Sequence, residues 1–183
     1  MRIFALACLL AVSQGAAASE ALWKLLRDGG QVVLVRHTVT TPGVGDPPGM
    51  RLDDCATQRN LTDEGRKHAE RIGAAFRARG IPVRDVRSSP WCRCIETAKL
   101  AFGGAQPHAS LGNLFGRPEL RESQIASIRK DLLRAPQGQN LVLVSHGSTI
   151  QALTGVAPAT GEMVVVTPQG GGRFSLAGRL EVE

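Results

Sequence analysis

The chain has 183 residues, of which 43% are hydrophobic and 21% are charged. That is the composition of one ordinary globular domain with enough apolar material for a core. The formal net charge of +6 favours anionic ligands, but scattered arginines and an aromatic content of 4% argue against nucleic acid as the partner.

The first eighteen residues have the pattern of a secretory signal peptide. Arg2 supplies a positive start, residues 3–12 an apolar core, and residues 16–18 a small-residue cleavage site. The apolar run is too short to span a bilayer, and no later run reaches the roughly 18 residues that a membrane helix needs. We therefore expect a signal peptide over residues 1–18 and a domain over residues 19–183 that is periplasmic or secreted, with no stable membrane insertion.

Hydrophobic periodicity and breaker residues predict an alternation of helices and strands in the rest of the chain. In chain order, the predicted elements are a helix over 20–28, a strand over 31–37, a helix over 62–79, a strand over 83–87, a helix over 90–102, a strand near 108–111, a helix over 118–134, a strand over 140–146, a helix over 147–155 and two antiparallel closing strands over 162–167 and 173–182. This alternation predicts a three-layer α/β/α sandwich with a mainly parallel central sheet.

A long irregular segment follows the first strand. Residues 39–60 are rich in proline and glycine, and about 22 residues is long for a loop in a compact domain unless the loop is functional or disordered. Because this segment leaves the end of the strand directly, we expect it to form part of a substrate cavity wall.

Basic residues and histidines stand where the predicted strands end. Arg36 and His37 end the first buried strand, His146 ends a second, and Arg93 lies in the first turn of a helix. In open α/β sheets ligands bind beyond the carboxyl ends of the strands. Guanidinium forks and a helix start suit phosphate oxygens. We expect one histidine to attack phosphorus as the neutral imidazole and the other, protonated, to hold a phosphate oxygen.

Four short motifs occur in a recognisable order. They are Val-Arg-His at residues 35–37, Asn-Leu-Thr-x-x-Gly-x-x-x-Ala at 60–69, Ser-Ser-Pro-x-x-Arg-x-x-x-Thr-Ala at 88–98 and Val-Ser-His-Gly at 144–147. Together they resemble the histidine phosphatase superfamily, which has the phosphoglycerate mutase-like fold. The resemblance spans nearly the whole domain, from about residue 31 to residue 155.

The resemblance implies a role for each motif residue. His37 would be the nucleophile that forms a phosphohistidine, which water then hydrolyses. Arg36, Arg93 and His146 would form the positive pocket around the phosphate, and no metal ion or other cofactor would be required. The partner would be a small phosphorylated substrate. Thr38 departs from the family pattern, because the family usually has glycine after the nucleophile, and we expect its side chain to add bulk beside the phosphate.

The proton donor for the leaving group is the second departure. The family's glutamate often follows a leucine, and Glu122 in Leu-Arg-Glu is the best match. Leu-Gly-Asn, which ends at Asn113, fits that location about as well and carries no acid. Other acids of the long loop could serve instead, namely Asp46, Asp53 and Asp54.

Three cysteines and two further arginines have alternative interpretations. Export permits one disulfide, and we expect it to join Cys55 and Cys92. The alternative is that all three cysteines are simply small residues buried in the core. Arg59 fits the pocket and the surface equally well, whereas we assign Arg51 to the surface.

The sequence therefore predicts an exported, metal-independent phosphomonoester phosphatase. A phosphoryl-transferring mutase of the same fold is the alternative enzyme. A non-catalytic periplasmic protein that binds anionic phosphorylated ligands is the alternative from another class, and a metal-dependent hydrolase using His37 and His146 is a third. Neither the identity of the phosphomonoester nor an oligomeric state follows from these patterns.

Overall fold

The computed structural model describes residue 17, residues 19–134 and residues 137–183. Apart from residue 17, the predicted signal peptide lies outside the described residues. Within the described ranges, none of the helices has the length and apolar character needed to cross a membrane.

A six-stranded mixed sheet forms the centre of the described structure. Its strands are β1 (Val32–Arg36), β2 (Val83–Ser88), β3 (Gln106–Pro107), β4 (Asn140–Ser145), β5 (Met163–Gly170) and β6 (Arg173–Leu180). They lie in the order β3-β2-β4-β1-β5-β6. β1 to β4 are parallel, whereas β5 runs antiparallel to both β1 and β6. The predicted mainly parallel sheet with an antiparallel closing pair is confirmed.

Five α-helices occur in the described part of the chain. They are α1 (residues 19–28), α2 (Asp63–Ala78), α3 (Cys92–Phe102), α4 (Arg121–Ser127) and α5 (Gly147–Thr154). Thr62 caps α2 by accepting a hydrogen bond from the Gly65 amide, and two acidic residues in the first turn complement the helix dipole. α5 ends at Gly155, which adopts the left-handed conformation that glycine favours.

Helices cover both faces of the sheet. Val33 and Val35 pack in one apolar cluster with residues of α1, α2 and α3. Val32 and Leu34, which point to the opposite face, pack in a second cluster that includes residues of α5 and the helical turn after α4. A strand buried on both faces explains the uninterrupted valine and leucine run of β1. The three-layer α/β/α sandwich is therefore the observed architecture.

Three predicted elements differ from the structure. The helix expected from Pro90 begins at Cys92, because the Ser89 amide donates to the Val144 carbonyl oxygen (2.9 Å) and keeps the chain extended past the end of β2. The strand expected near residues 108–111 is the two-residue β3 followed by a 3₁₀ turn over Ala109–Leu111, which buries Leu111. The single helix expected over 118–134 consists of a 3₁₀ turn (Pro118–Leu120), α4 and a π-helical turn (Ile128–Leu132).

Helices α2 and α3 approach each other closely at Gly73. A Cβ atom at this position would lie 2.1 Å from the carbonyl oxygen of Ala101. In an exposed helix, alanine is about 1 kcal/mol more favourable than glycine. We expect Gly73→Ala to lower the free energy of unfolding instead, by roughly 1 to 3 kcal/mol, because the α3 backbone must move.

Chemical denaturation measures this difference. Ala74→Gly, at an exposed position of the same helix, is the matched control and reports the helix propensity alone. A gain of stability in Gly73→Ala would contradict the close approach of the two helices.

Candidate active site

The site is built where β1, β4 and β2 end side by side. Arg36 is paired with Ser145 in the parallel register of β1 and β4, so that His37 and His146 each follow the last paired residue. The His37 amide donates to the Ser145 carbonyl oxygen at 3.0 Å. The centroids of the His37 and His146 rings lie 5.4 Å apart. The structure thus brings together the two histidines that the sequence places at strand ends.

His37 is held as one tautomer of the neutral imidazole. Its ring is 3% exposed, and Nδ1 lies 2.9 Å from the Thr38 carbonyl oxygen, which can only accept a hydrogen bond. Nδ1 therefore carries the proton and Nε2 carries the lone pair. Nε2 has no hydrogen-bond partner among the described residues. Burial, together with the charges of Arg93, Arg36 and Arg59, lowers the pKa of His37 to about 3 against the opposing hydrogen bond to Thr38.

Arg93 is a buried cation with one dominant partner. Its side chain is 1% exposed, and its Nη1 and Nη2 donate to the two carboxylate oxygens of Asp46 at 2.6 and 3.1 Å. Trp91 Nε1 also donates to this carboxylate, at 3.0 Å. Although burial raises the pKa of Asp46, the hydrogen bonds and charge of Arg93 outweigh it, and the pKa is lowered overall. Asp46 is therefore a carboxylate, not a protonated acid, in this arrangement.

The hydrogen bonds of His146 correspond to a neutral imidazole. Arg93 Nη2 lies 3.4 Å from Nδ1, which must accept because a guanidinium has no lone pair to offer. Nε2 then donates to Ser89 Oγ at 2.7 Å. Burial is the main cause that lowers the pKa of His146 well below 6.5, and the neighbouring His37 and arginines lower it further. The expectation that the second histidine is protonated when it holds a phosphate oxygen stays a prediction.

A cavity of about 380 Å³ opens above the histidines. Arg59 lines it together with Arg36 and Arg93. Arg59, for which the sequence left pocket and surface equally open, therefore belongs to the site. Each of these three arginines has a buried Nε atom with no hydrogen-bond partner among the described residues. Arg51 lies on the surface, where it pairs with Asp54 as the sequence predicts. The cavity therefore concentrates guanidinium groups that are not fully satisfied by the protein.

The described residues provide neither an acidic side chain in the cavity lining nor a cluster of metal ligands. Among the described residues, no aspartate or glutamate lines the cavity. Nor does the described part of the chain contain a cluster of three or more histidine, cysteine, aspartate or glutamate side chains that could hold a metal ion.

Glu122 is not brought to the site. It lies exposed on α4 and lines a separate cavity with Arg121 and Ile125. Asn113, from the alternative motif, lines the histidine cavity instead. Its Oδ1 accepts hydrogen bonds from Ser148 Oγ at 2.8 Å and from the Phe115 amide at 3.1 Å. Asn113, in the turn before α4, therefore lines the cavity, whereas Glu122 lies exposed outside it.

Thr38 does not crowd the site. Its side chain is fully buried, and Oγ1 lies 3.4 Å from Thr97 Oγ1 on α3, outside the residues that line the cavity. The Thr38 amide donates to the same Thr97 hydroxyl at 3.3 Å. The expectation that Thr38 adds bulk beside the phosphate is therefore wrong, because its side chain packs against α3.

The long loop is fastened to the first turn of α3. Cys55 forms the predicted disulfide with Cys92, and the Cys92 amide donates to Gln58 Oε1 at 3.0 Å. Cys94 is free and buried. The loop contributes Arg59 and the segment 43–45 to the cavity, which confirms its expected place in the wall.

Several site residues were missed by the sequence reasoning. Two of them could have been found from the sequence, because Ser89 lies within the Ser-Ser-Pro motif and Ser148 follows His146 by two residues. Trp91, whose ring centroid lies 5.2 Å from that of His146, had no such signal. Pro158, whose carbonyl oxygen accepts a hydrogen bond from Arg36 at 2.8 Å, is 122 residues away from its partner and could not be found from local patterns.

Comparison with known proteins shows the family to which the chain belongs. Residues 32–127 match the family model of the histidine phosphatase superfamily (branch 1). The chain belongs to this superfamily. The match supports phosphoryl-transfer chemistry of the phosphatase or mutase type. No curated protein sequence matches the chain.

Solved structures of this superfamily fold resemble the chain over most of its length. The protein histidine phosphatase SixA complexed with tungstate has 14% identity, with 82% of this chain and 96% of that chain covered and a TM-score of 0.56. A phosphoglycerate mutase from Thermus thermophilus has 19% identity, coverages of 84% and 99% and a TM-score of 0.56. A phosphoserine phosphatase mutant from Entamoeba histolytica has 14% identity, coverages of 81% and 95% and a TM-score of 0.55. At these identities the similarity shows the shared fold alone.

Both site histidines should stay neutral in mildly acidic solution. We expect the ¹⁵N chemical shifts of His37 and His146 in the ligand-free protein to remain unchanged between about pH 8 and about pH 5, where an unperturbed histidine titrates. A midpoint above pH 6 for either ring would contradict this electrostatic analysis. Because the pKa of His37 in the folded protein, about 3, lies below its usual 6.5, His37 contributes stability that is fully present above pH 6.5 and is lost as the pH falls toward 3.

The disulfide should stabilise the protein substantially. Cys55 and Cys92 are 37 residues apart, and a link that closes a chain segment of this length stabilises by roughly 3 to 4 kcal/mol. We expect the double variant Cys55→Ser, Cys92→Ser to lose about this much free energy of unfolding. Reductant should destabilise the wild-type protein to the same extent and leave the double variant unchanged. Equal stability of both proteins without reductant would exclude a structural role for the bond.

Proposed function

We propose that this protein is an exported, metal-independent phosphatase that hydrolyses a phosphomonoester through a phosphohistidine on His37. One observation carries the proposal. A neutral, buried His37, whose Nε2 carries a lone pair without a described hydrogen-bond partner, lines a cavity that three arginines also line. A nucleophile with its proton fixed on the opposite nitrogen, next to unsatisfied cations, suits attack on a phosphoryl group.

The cations would hold the phosphoryl oxygens during attack. Arg36, Arg59 and Arg93 supply positive charge in a partly dehydrated site, where electrostatic stabilisation of a phosphoryl transition state is strongest. The first-turn backbone N–H groups of α5, at Gly147 and Ser148, border the same cavity and suit anion binding. This donor set supplies the charge that metal ions supply in other phosphoryl-transfer sites, which is why we propose a metal-independent reaction.

The reaction would proceed in two displacements. His37 Nε2 forms a bond to phosphorus while the bond from phosphorus to the leaving-group oxygen breaks, and that oxygen keeps the electron pair and takes a proton from solvent water. Water then attacks phosphorus, the N–P bond breaks, and phosphate leaves with the lone pair restored on Nε2. His146 would contact the phosphoryl group beside His37. The negative charge of a bound phosphate raises the pKa of a neighbouring histidine, and this would oppose the burial and the positive charges that lower the pKa of His146.

Export is proposed from two features. Residues 1–18 carry the signal-peptide pattern, and the Cys55–Cys92 disulfide suits an oxidising compartment.

A non-catalytic phosphate-binding protein is the second candidate, and Asn113 favours it. An amide at the side of the cavity where the family's acid is expected cannot protonate a leaving group. Such a protein would keep the arginine pocket and bind phosphate without turnover.

Turnover of p-nitrophenyl phosphate by the purified protein, with a metal chelator present, tests the proposal. We expect His37→Ala to reduce kcat by at least about 10³-fold because the nucleophile is lost. His108→Ala is the matched control, since His108 hydrogen-bonds Ser110 outside the cavity and should keep wild-type activity.

Rapid quenching with substrate labelled at phosphorus should trap an acid-labile, alkali-stable phosphoryl adduct in the wild-type protein only. Loss of activity on chelation would point to a metal-dependent hydrolase. Phosphate binding without any turnover would establish the binding protein instead.

A further inference from the structure

The part of the cavity wall that Asn113 and Ser148 form offers hydrogen-bond donors rather than an acid. Asn113 has its Oδ1 committed to two donors, Ser148 Oγ and the Phe115 amide, which leaves its NH₂ group as the part available to a ligand. An amide NH₂ donates a hydrogen bond to an anionic oxygen but does not transfer a proton to it. This side of the site therefore suits a leaving group that is stable as an anion.

A basic groove continues from this side of the cavity. It is lined by Arg117 and Arg121 and shares Phe115, Ser148 and Gln151 with the histidine cavity. Within the described part of the chain, neither arginine forms an ion pair, and Arg117 packs over the Trp91 ring at 5.3 Å from its centroid. None of the described residues that line this groove is acidic. The groove, which we call the second basic groove, therefore presents two guanidinium groups that are not neutralised by a carboxylate.

We propose that the substrate is a diphosphate ester, whose terminal phosphoryl group is transferred to His37 while the remaining monophosphate leaves toward Asn113 and the second basic groove. This inference rests on the proposed phosphohistidine reaction of His37, but it replaces the phosphomonoester of that proposal with a phosphoanhydride as the bond that breaks. The ester group that fits is a nucleoside or a prenyl chain, because exposed Val44 and Phe115 form an apolar rim beside the histidine cavity, and Phe115 also lines the second basic groove.

The chemistry of a phosphoanhydride matches these donors. As His37 Nε2 bonds to the terminal phosphorus, the bond from that phosphorus to the bridging oxygen breaks, and the electron pair stays on the bridging oxygen. The departing monophosphate is stable as an anion at neutral pH, since its second pKa is about 6, so that no proton transfer is needed. Water then cleaves the N–P bond as in the proposed cycle. An alcohol leaving group would lack the acid assistance that is typically worth about 10² to 10⁴-fold.

Matched pairs of substrates test the inference on the wild-type protein. Uridine diphosphate is compared with uridine monophosphate, and geranyl diphosphate with geranyl monophosphate, by phosphate release with a chelator present. We expect kcat/KM for the diphosphate to exceed that for the monophosphate by at least about 100-fold in one pair or both. The pair with the larger ratio identifies which ester group the rim accepts.

Two variants locate the effect. Asn113→Asp, which places a carboxyl group at this side of the cavity, should lower the ratio by raising turnover of the monophosphate. The double variant Arg117→Gln, Arg121→Gln should lower the ratio at least about tenfold by raising KM for the diphosphate. Glu122→Gln is the matched control, because Glu122 is exposed outside both cavities, and it should leave the ratio unchanged. Thermal unfolding confirms that each variant is folded.

The outcomes separate the inference from the function on which it rests. If p-nitrophenyl phosphate is hydrolysed but neither ratio exceeds about ten, the diphosphate inference is overturned and the phosphatase function stands. A high ratio that the double arginine variant leaves intact would overturn the assignment of the second basic groove. If no substrate, including the aryl ester, is hydrolysed, both proposals fail together.

Discussion

The guanidinium group of Arg93 is 1% exposed, and a buried cation without a counter-charge costs several kcal/mol. Asp46 provides that counter-charge through two hydrogen bonds, although it is 47 residues away in a loop with no regular structure of its own at that point. Burying the arginine therefore requires the loop to lie against α3. The Cys55–Cys92 disulfide and the Gln58 hydrogen bond fasten the same loop to the same helix turn. The position of the cavity wall therefore depends on one ion pair, one disulfide and one hydrogen bond.

Charge compensation in the site is incomplete, because one carboxylate faces three arginines. The remaining positive potential acts on every group that borders the cavity. It contributes to the lowered pKa values of His37 and His146 and so preserves the neutral imidazole that can act as a nucleophile. The same potential attracts a phosphoryl dianion. In the proposed function, activation of the nucleophile and recruitment of the substrate would thus follow from one arrangement of charge. Asp46 keeps the buried Arg93 neutralised in the absence of an anion, and a bound phosphoryl group would compete with it for this arginine.

Different parts of the cavity wall carry different chemical groups. His37 approaches from the sheet edge, whereas Asn113, Ser148 and the second basic groove lie on the side of α4 and α5. A phosphoryl group between them would have its nucleophile on one side and a set of donors on the other. The absence of an acidic side chain from the described lining gives this donor side a chemical preference, since donors stabilise an anionic leaving group without protonating it. The substrate class then depends on the leaving group as much as on the phosphate.

Much of the fold and the inner site could be predicted from the sequence, because their signals are local. The buried runs that became β1 and β4 have valine and leucine at successive positions, and Thr62 with its two following acids marks the start of α2. Parallel strands deliver their last residues to one edge, so that the strand pattern alone was enough to place His37 and His146 together. The motif at residues 88–98 likewise placed the Arg93 guanidinium in the first turn of a helix, because the signals for that helix are local.

Side-chain direction was decided only by the tertiary structure. Glu122 has the right residue type near the right place, yet the packing of α4 turns it outward, and the preceding turn inserts Asn113 instead. Thr38 packs against Thr97, a contact that depends on where α3 lies over the end of β1. The protonation of His146 depends on Arg93 and Ser89, which approach it from another helix and another strand. The sequence by itself determined most of the elements, the edge at which they meet and the two histidines at that edge, because periodicity and strand direction are properties of neighbouring residues. The tertiary structure decided the partners of each charge and the nature of the leaving-group side, because these depend on distances between residues far apart in the chain.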